Sequence, residues 1–390
     1  MYKSKYLKIN NKIKYAIFCC IYLLLYPLCS FYCNIRKIWI ICERKDEAQD
    51  NGYVFFKFIR ENHPEINIVY LIKRNSSDFD KVKSLGKTIE FGSLRHFFLM
   101  IGAPVKISSH LFGYSPWVQS SLYYRRNKTR HVHIFLQHGI TKNLHEGLFS
   151  ETCNSLKLFV CGAKPEYDSV YNDFHYRNDV PQYTGFPRYD LLNTFKCKNQ
   201  ILFMPTWRAS LQSLNNAEFT KSSFYKNWAK LIDSKDLREF LFAKGIEGKF
   251  YLHSSFQKFS NCFKDNDVFK IIKHNESNVQ ELLKDSLLLV TDFSSVFFDF
   301  AYMKKPLVYF QFDETEYYKT HYQKGYFDYR KDGFGDVCVT YDSVLQSIKN
   351  IINNSFAVEN KYLVRRNIFF TLDANHNCER VFERIKCLIK

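Results

Sequence analysis

LLLVTDFSSVFFDFAYMKKPLVYFQFD, residues 287–313, carries the pattern that decides the fold. Leu287 to Val290 is an unbroken apolar run, the mark of a strand buried on both faces. Polar Thr291-Asp292-Phe293-Ser294-Ser295 follows, then an apolar-faced helix that Lys304-Lys305-Pro306 ends, then a second apolar strand from Leu307. Strand, helix and strand make a βαβ unit, with small hydroxyl residues where the helix opens. A helix start presents unpaired backbone N–H groups and the positive end of the dipole, which together suit a phosphate. A serine that only caps the helix satisfies the same pattern. The stretch by itself leaves both open.

Outward from it, the same alternation repeats. Upstream, Ile201 to Met204, Phe250 to His253 and Val268 to Ile272 read as strands, with a polar loop over Ala209 to Thr220 and a helix over Tyr225 to Lys244. Downstream, Val337 to Thr340 is a last strand and the chain is mostly helical from Glu359. An earlier series comprises Ile38 to Cys42, Asn67 to Ile72, Lys87 to Phe91, Val105 to His110, His133 to Leu136 and Leu158 to Cys161. Helices interleave there: one capped at Asp50 and ended by His63-Pro64, others over Phe97 to Gly102 and Pro165 to Tyr171. Gly185-Phe186-Pro187-Arg188 and the polar run Thr194 to Gln200 mark a hinge. The expectation is α/β: two doubly wound domains facing a cleft, with ligands at the carboxyl ends of the strands.

The chain has 390 residues and a net charge of +17, with 38 Phe and 27 Tyr. That is core material for two domains and excludes general disorder. The charge points to an anionic partner: a nucleotide, a phosphate polymer, nucleic acid or an acidic lipid surface. The 12 Cys form no CxxC pair and no zinc-spaced cluster, which places the catalytic body in a reducing compartment, the cytosol. Residues 1–14 hold five Lys and no acid, and the 19 residues from Tyr15 to Cys33 carry no charge. Such a segment is long enough to enter a membrane, with Pro27 able to kink it. No small-x-small cleavage site follows cleanly. Arg36, Lys37, Arg44 and Lys45 come directly after it, so the basic flanks set no orientation. A monotopic or hairpin-like insertion on the cytoplasmic face of the cell membrane keeps the cysteine-bearing body in the reducing compartment.

Four polar clusters stand at expected strand ends: Gln137-His138-Gly139, Thr206-Trp207-Arg208, His253-Ser254-Ser255, and Asp292 with Ser294-Ser295. An imidazole at His138 suits proton removal from a hydroxyl, and Gly139 would let the backbone turn tightly beside it. Arg208 could grip a pyrophosphate bidentately. Arg125 to Arg130 reads as a solvated basic loop, with contact to an anionic polymer or lipid headgroups as the alternative. No Walker A loop, GxGxxG fingerprint or nucleic-acid motif is present.

Taken in order, the clusters resemble the CDP-glycerol glycerophosphotransferase family of teichoic-acid primases and polymerases and their capsule relatives. The resemblance rests on Gln137-His138-Gly139-Ile140-Thr141-Lys142, Gly185 to Asp190, Pro205-Thr206-Trp207-Arg208, Thr291 to Asp299 and Asp332 to Asp336. Glu43-Arg44 and Asp50-Asn51-Gly52-Tyr53 add to it. It implies a GT-B-like fold and transfer of a polyol phosphate, glycerol phosphate first among them, from a CDP-polyol to a hydroxyl, releasing CMP. The acceptor implied is a polyprenyl-linked glycan or polyol phosphate at an anionic membrane surface, in teichoic acid or capsule synthesis; nucleic acid is not a partner. His138 would be the general base and His253 would stabilise the phosphoryl group or leaving CMP, although Ser254 stands where the family pattern has Pro. Arg208, Thr206, Ser294 and Ser295 would hold the donor, Asp292 would shape its loop, and Asp299 would touch the ribose or fix a neighbouring loop. No resident metal is implied, and an Mg²⁺ ion brought with the nucleotide is compatible. The domains expected are 1–37, a basic tail and membrane segment; 38–190, acceptor side; and 191–390, CDP-donor side. The rival readings are a GT-B glycosyltransferase using a nucleotide sugar and a non-catalytic, membrane-bound polymer-binding protein.

Overall fold

A computed structural model describes residues 2–273, 276–320 and 323–389, with side chains from residue 11 onward. The chain forms two compact units. The first runs to His138, then takes Glu146–Leu191 and the stretch from Leu372; the second comprises Gly139–His145 and Leu192–Thr371. The units therefore depart from chain order twice, at the segment after His138 and at the final helix, where the sequence boundaries run straight through.

The first unit holds β1 (Trp39–Cys42), β2 (Ile68–Ile72), β3 (Thr88–Glu90), β4 (Val105–Ser108), β5 (Val132–Phe135), β6 (Leu156–Cys161) and β7 (Pro181–Tyr183). They form one parallel sheet in the order β3-β2-β1-β4-β5-β6-β7. The second unit holds β8 (Gln200–Met204), β9 (Glu247–Tyr251), β10 (Phe269–Ile272), β11 (Leu288–Thr291), β12 (Leu307–Phe310) and β13 (Gly335–Cys338). Its sheet is also parallel, ordered β10-β9-β8-β11-β12-β13. Each unit thus winds outward from its first strand in one direction, then crosses back and continues in the other. The reversal leaves a crevice at the carboxyl ends of β1 and β4 in one unit and of β8 and β11 in the other.

Apolar runs explain why these strands are buried throughout: every residue of β1, β2, β8, β11 and β12 is buried. Burying each such side chain contributes roughly 1.5–3 kcal/mol. Helices cover the faces with amphipathic stripes, as where Trp228 of the helix Ser223–Ile232 packs on Phe310 at 5.4 Å and Phe250 at 6.0 Å. The long helix expected over Tyr225 to Lys244 is two, Ser223–Ile232 and Lys235–Ala243, because Ser234 accepts the Leu237 N–H and opens a second helix. The basic run begins as helix: Arg125 and Arg126 close Val118–Arg126. Strand β7 and the helices Phe79–Leu85 and Tyr341–Asn353 are additional to the sequence reading.

The helix Tyr2–Ile35 belongs to the first unit and packs on the helices Leu94–Gly102 and Val118–Arg126. Phe18, Tyr22, Cys29 and Cys33 are buried on its inner face. A Cβ on Gly102 would lie 2.2 Å from the Cys29 carbonyl oxygen, so glycine there sets the close approach. Ile13, Ile17, Ile21, Leu24, Leu28, Phe31 and Ile35 stay exposed at intervals of three or four residues, a continuous apolar stripe.

Candidate active site

In the first unit, the side chains picked out from the sequence meet at the carboxyl ends of β1, β4 and β5. His138 stands three residues past β5 and is exposed. Its Nδ1 lies 3.4 Å from the Ser109 carbonyl oxygen, a long contact in which Nδ1 is the donor, leaving Nε2 to accept a proton. Crowding by surrounding protein lowers the imidazole pKa, against the pull of Asp50; Arg188 and Arg44 lower it further. An imidazole shifted below its ordinary value is neutral at physiological pH. The tight turn expected at Gly139 falls instead on Gln137, whose φ of 60° is left-handed for a residue with a side chain. Asn51 holds it there, donating to the Leu136 and Gln137 carbonyls at 3.2 and 2.8 Å, while Gln137 Nε2 donates to the Val160 carbonyl at 2.6 Å and Glu166 at 3.0 Å. Strain of this kind costs about 1–3 kcal/mol and persists only where neighbours over-determine it.

The other motifs of this unit build that scaffold. Glu43 is buried and accepts the backbone N–H groups of Gln49, Asp50 and Tyr53 at 2.7, 2.8 and 2.6 Å, closing the start of the helix Asn51–Asn62. Arg188, 4 % exposed, donates to Asp50 at 2.7 Å and its backbone N–H donates to Asn51 at 3.1 Å. Asp190 accepts the N–H groups of Asn377 and Cys378, seating the helix Asn377–Ile389.

In the second unit, Pro205-Thr206-Trp207-Arg208 follows β8 and Asp292-Phe293-Ser294-Ser295 follows β11, on either side of the crevice. Asp292 is fully buried and ties the two loops together: one oxygen accepts the N–H groups of Thr206 and Phe293 at 2.8 and 2.6 Å, the other accepts Arg208 at 2.8 Å. Arg208 is 3 % exposed and already committed. It donates to Asp313 through Nε and NH2 at 2.8 and 3.0 Å and to the Thr206 carbonyl at 2.7 Å, and lies over Phe224, Phe293 and Tyr317. Burial works against its charge, and the two aspartates outweigh it, holding its pKa above the ordinary value. With Asp292, Asp313 and the Thr206 carbonyl around it, the guanidinium braces the two loops against each other.

The hydroxyls of these two loops are lightly engaged. Ser295 sits at the head of the helix Val296–Tyr302 and its side chain makes no cap bond, while Ser294 accepts the Val296 N–H only at 3.4 Å. The Thr206 hydroxyl is buried with no hydrogen-bond partner. His253, after β9, accepts the Ser255 N–H at Nδ1, 3.2 Å, so its neutral ring carries the proton on Nε2 as a donor. Asp299 is 2 % exposed and accepts Gln280 at 3.2 Å, which joins its helix to Val279–Asp285. Lys142, quoted only as a motif letter, is buried, and its Nζ donates to the Phe293 carbonyl at 2.9 Å. Burial pushes its ammonium down to about 8, with Asp292 opposing. A Cβ on Gly139 would lie 2.8 Å from Ser295 Oγ, so the glycine serves close approach to the Ser294-Ser295 loop. Among the described residues no group of three His, Cys, Asp or Glu is placed to hold a metal ion.

A family profile described as CDP-glycerol:poly(glycerophosphate) glycerophosphotransferase matches residues 26–387. The chain belongs to this family of transferases. Among curated relatives, the minor teichoic acid biosynthesis protein GgaB of Bacillus subtilis (strain 168) is 32% identical over 364 residues, covering 90% of this chain and 40% of GgaB. The teichoic acid poly(glycerol phosphate) polymerase of the same strain is 26% identical, covering 86% of this chain and 46% of the polymerase. The chain thus spans less than half the length of these relatives. Among solved structures, the wall teichoic acid polymerase TagF superposes with a TM-score of 0.69 at 14% identity, covering 98% of both chains. A UDP-N-acetylglucosamine 2-epimerase from Listeria monocytogenes gives 0.55 at 11%, covering 90% of this chain and 96% of the epimerase. Both likenesses concern the fold, which is GT-B-like, with two parallel α/β sheets as the glycerophosphotransferase resemblance implied.

Proposed function

We propose that this glycerophosphotransferase-family chain transfers glycerol phosphate from CDP-glycerol to a hydroxyl of a membrane-linked acceptor in teichoic acid or a related surface polymer, releasing CMP. One observation carries the reading: in a chain matched to the family over residues 26–387, His138 is hydrogen-bonded through Nδ1 and offers Nε2 as a base at the strand ends. His138 takes the acceptor proton as the hydroxyl oxygen attacks the β-phosphorus and the bond to CMP breaks. His253, with its proton on Nε2, donates to the phosphoryl or departing CMP oxygens. Ser294, Ser295 and Thr206 bind donor oxygens on a loop that Asp292, Arg208 and Lys142 hold rigid. The two units serve as acceptor-side and donor-side domains, as residues 38–190 and 191–390 suggest, with the final helix reassigned to the first.

The helix Tyr2–Ile35 supports attachment at the cytoplasmic face, lying along its unit with the stripe from Ile13 to Ile35 toward lipid and the Lys-rich start toward anionic headgroups. The test incubates purified protein with CDP-glycerol, CDP-ribitol and lipid-linked acceptors and measures CMP and product length. UDP- and GDP-sugars run beside them. CMP release with a CDP-polyol, lost in His138→Ala, is the expected result; no CMP from any CDP-polyol overturns the proposal.

A further inference from the structure

His110, two residues past β4, has no part in the chemistry above. Its ring lies face to face with that of His138, centroids 4.4 Å apart and planes within 4°. Arg44 Nε donates to His110 Nε2 at 3.2 Å, which puts the ring proton on Nδ1. That Nδ1 is buried and has no hydrogen-bond partner. A ring kept for packing alone would be better as phenylalanine, since an unpaired buried N–H costs stability. What the imidazole provides is an anchor to Arg44 along one edge and a flat wall for His138 on its face.

We propose that His110 is the positioning residue of the site: held by Arg44, it clamps His138 flat against the end of β4, with Nδ1 on the Ser109 carbonyl and Nε2 free for the acceptor hydroxyl. This rests on the reading of His138 as the base. The wall also excludes water from one face of the base. The charged groups around His138 are Asp50 at the start of the helix Asn51–Asn62, Arg188 in the turn Pro187–Leu191 and Arg44 after β1. Asp50 favours the imidazolium and the two arginines oppose it. His110 stays neutral itself, pushed down to about 2 by burial, His138 and Arg44. Removing its ring hydrates His138, so the base titrates at higher pH and less of it is neutral at a given pH.

The test uses the full chain with ¹³C-labelled histidine, the His138 signal assigned by its loss in His138→Ala. His110→Ala is expected to raise the His138 midpoint by about half a pH unit or more. It is also expected to lower kcat for CMP release by about tenfold or more, leaving donor KM within about twofold. His110→Phe, which restores the wall, should recover most of both effects. Arg44→Met, which leaves the ring unanchored, should move both in the direction of His110→Ala but less, and serves if His110→Ala does not fold. An unchanged midpoint and kcat in His110→Ala, or in Arg44→Met in its stead, overturn the proposal, as does a His110→Phe variant no better than alanine. If the wild type releases no CMP, the transfer reading fails while the titration still decides the stack.

Discussion

At the level of single residues, Arg208 separates two roles that leave different signatures. A guanidinium that grips the donor would, when replaced, raise donor KM and leave the fold intact. One held by Asp292, Asp313 and the Thr206 carbonyl, at 3 % exposure, leaves the buried Asp292 and the partly buried Asp313 without their cation when it goes. Arg208→Met should therefore destabilise by about 3–5 kcal/mol, seen in denaturant unfolding, and Arg208→Lys should rescue poorly because one ammonium cannot span both aspartates. A stable Arg208→Met with only a weakened KM would return the residue to the ligand. Lys142 makes a second prediction. With its ammonium pushed down to about 8 beneath the loop at Phe293, kcat/KM for the CDP-polyol should fall as pH rises past about 8, and Lys142→Arg should remove that limb. Between about 8 and the ordinary lysine value of roughly 10.4 the unfolded chain binds more protons at this position, so the same group adds stability as pH rises through that window. Stability and activity then move oppositely with pH, which unfolding and rate profiles can separate. The places of His138, His253 and the Ser294-Ser295 pair just past strand ends were legible from the apolar runs before them. The contacts of Arg208, His110 and Lys142 were not, because they depend on partners 66 to 151 positions away: Asp292 and Asp313 for Arg208, Arg44 for His110, Phe293 for Lys142.

At the level of elements, apolar runs located every strand but β7, and a Pro-led three-residue edge strand has too little pattern to be read. The N-terminal helix shows what periodicity cannot resolve. An uncharged stretch from Tyr15 to Cys33 is compatible with a span, a hairpin or a surface helix. The choice depends on which face meets protein, and that is set by Gly102, Tyr123 and Phe97 elsewhere in the chain. With Phe18 and Tyr22 buried against those partners, the outward stripe is free for lipid while the inner face stays docked. Leu24 and Leu28 are 79% and 63% exposed, so Leu24→Glu with Leu28→Glu adds two charges to the stripe without disturbing the docked face. The double variant should keep its circular dichroism and lose about tenfold or more of its binding to anionic-lipid vesicles, read by co-flotation. Undiminished flotation would sink the in-plane reading.

At the level of the whole molecule, chain order and compact units part company at the end of the sequence. Helical content from Glu359 was legible; the unit it serves was not, because the seat lies almost 200 residues earlier. Asp190 accepts the Asn377 and Cys378 N–H groups at 2.9 and 2.8 Å, Arg380 donates to the Thr184 carbonyl at 2.8 Å, and Phe382 packs on Trp39, Phe58 and His63. Gly185, at φ 75°, clears the Asn377 side chain, where a Cβ would fall 1.9 Å from its oxygen. The Gly185 to Asp190 motif is therefore a joint: its arginine braces Asp50 beside His138 and its aspartate holds the last helix. Removing that helix uncovers Trp39 on β1 and leaves Asp190 without its donors, whereas the hydrogen-bonded core of β8 to β13 contains none of these contacts. A chain ending at Thr371 should show amide exchange in β1, β2 and β4 faster by about tenfold or more, with β8, β11 and β12 unchanged. His138, braced through Arg188 and Asn51 on the same unit, should then lose its shifted titration before the loop Asp292 to Ser295 loses its order. Faster exchange confined to β8 to β13 would place the last helix with the second unit and overturn the assignment.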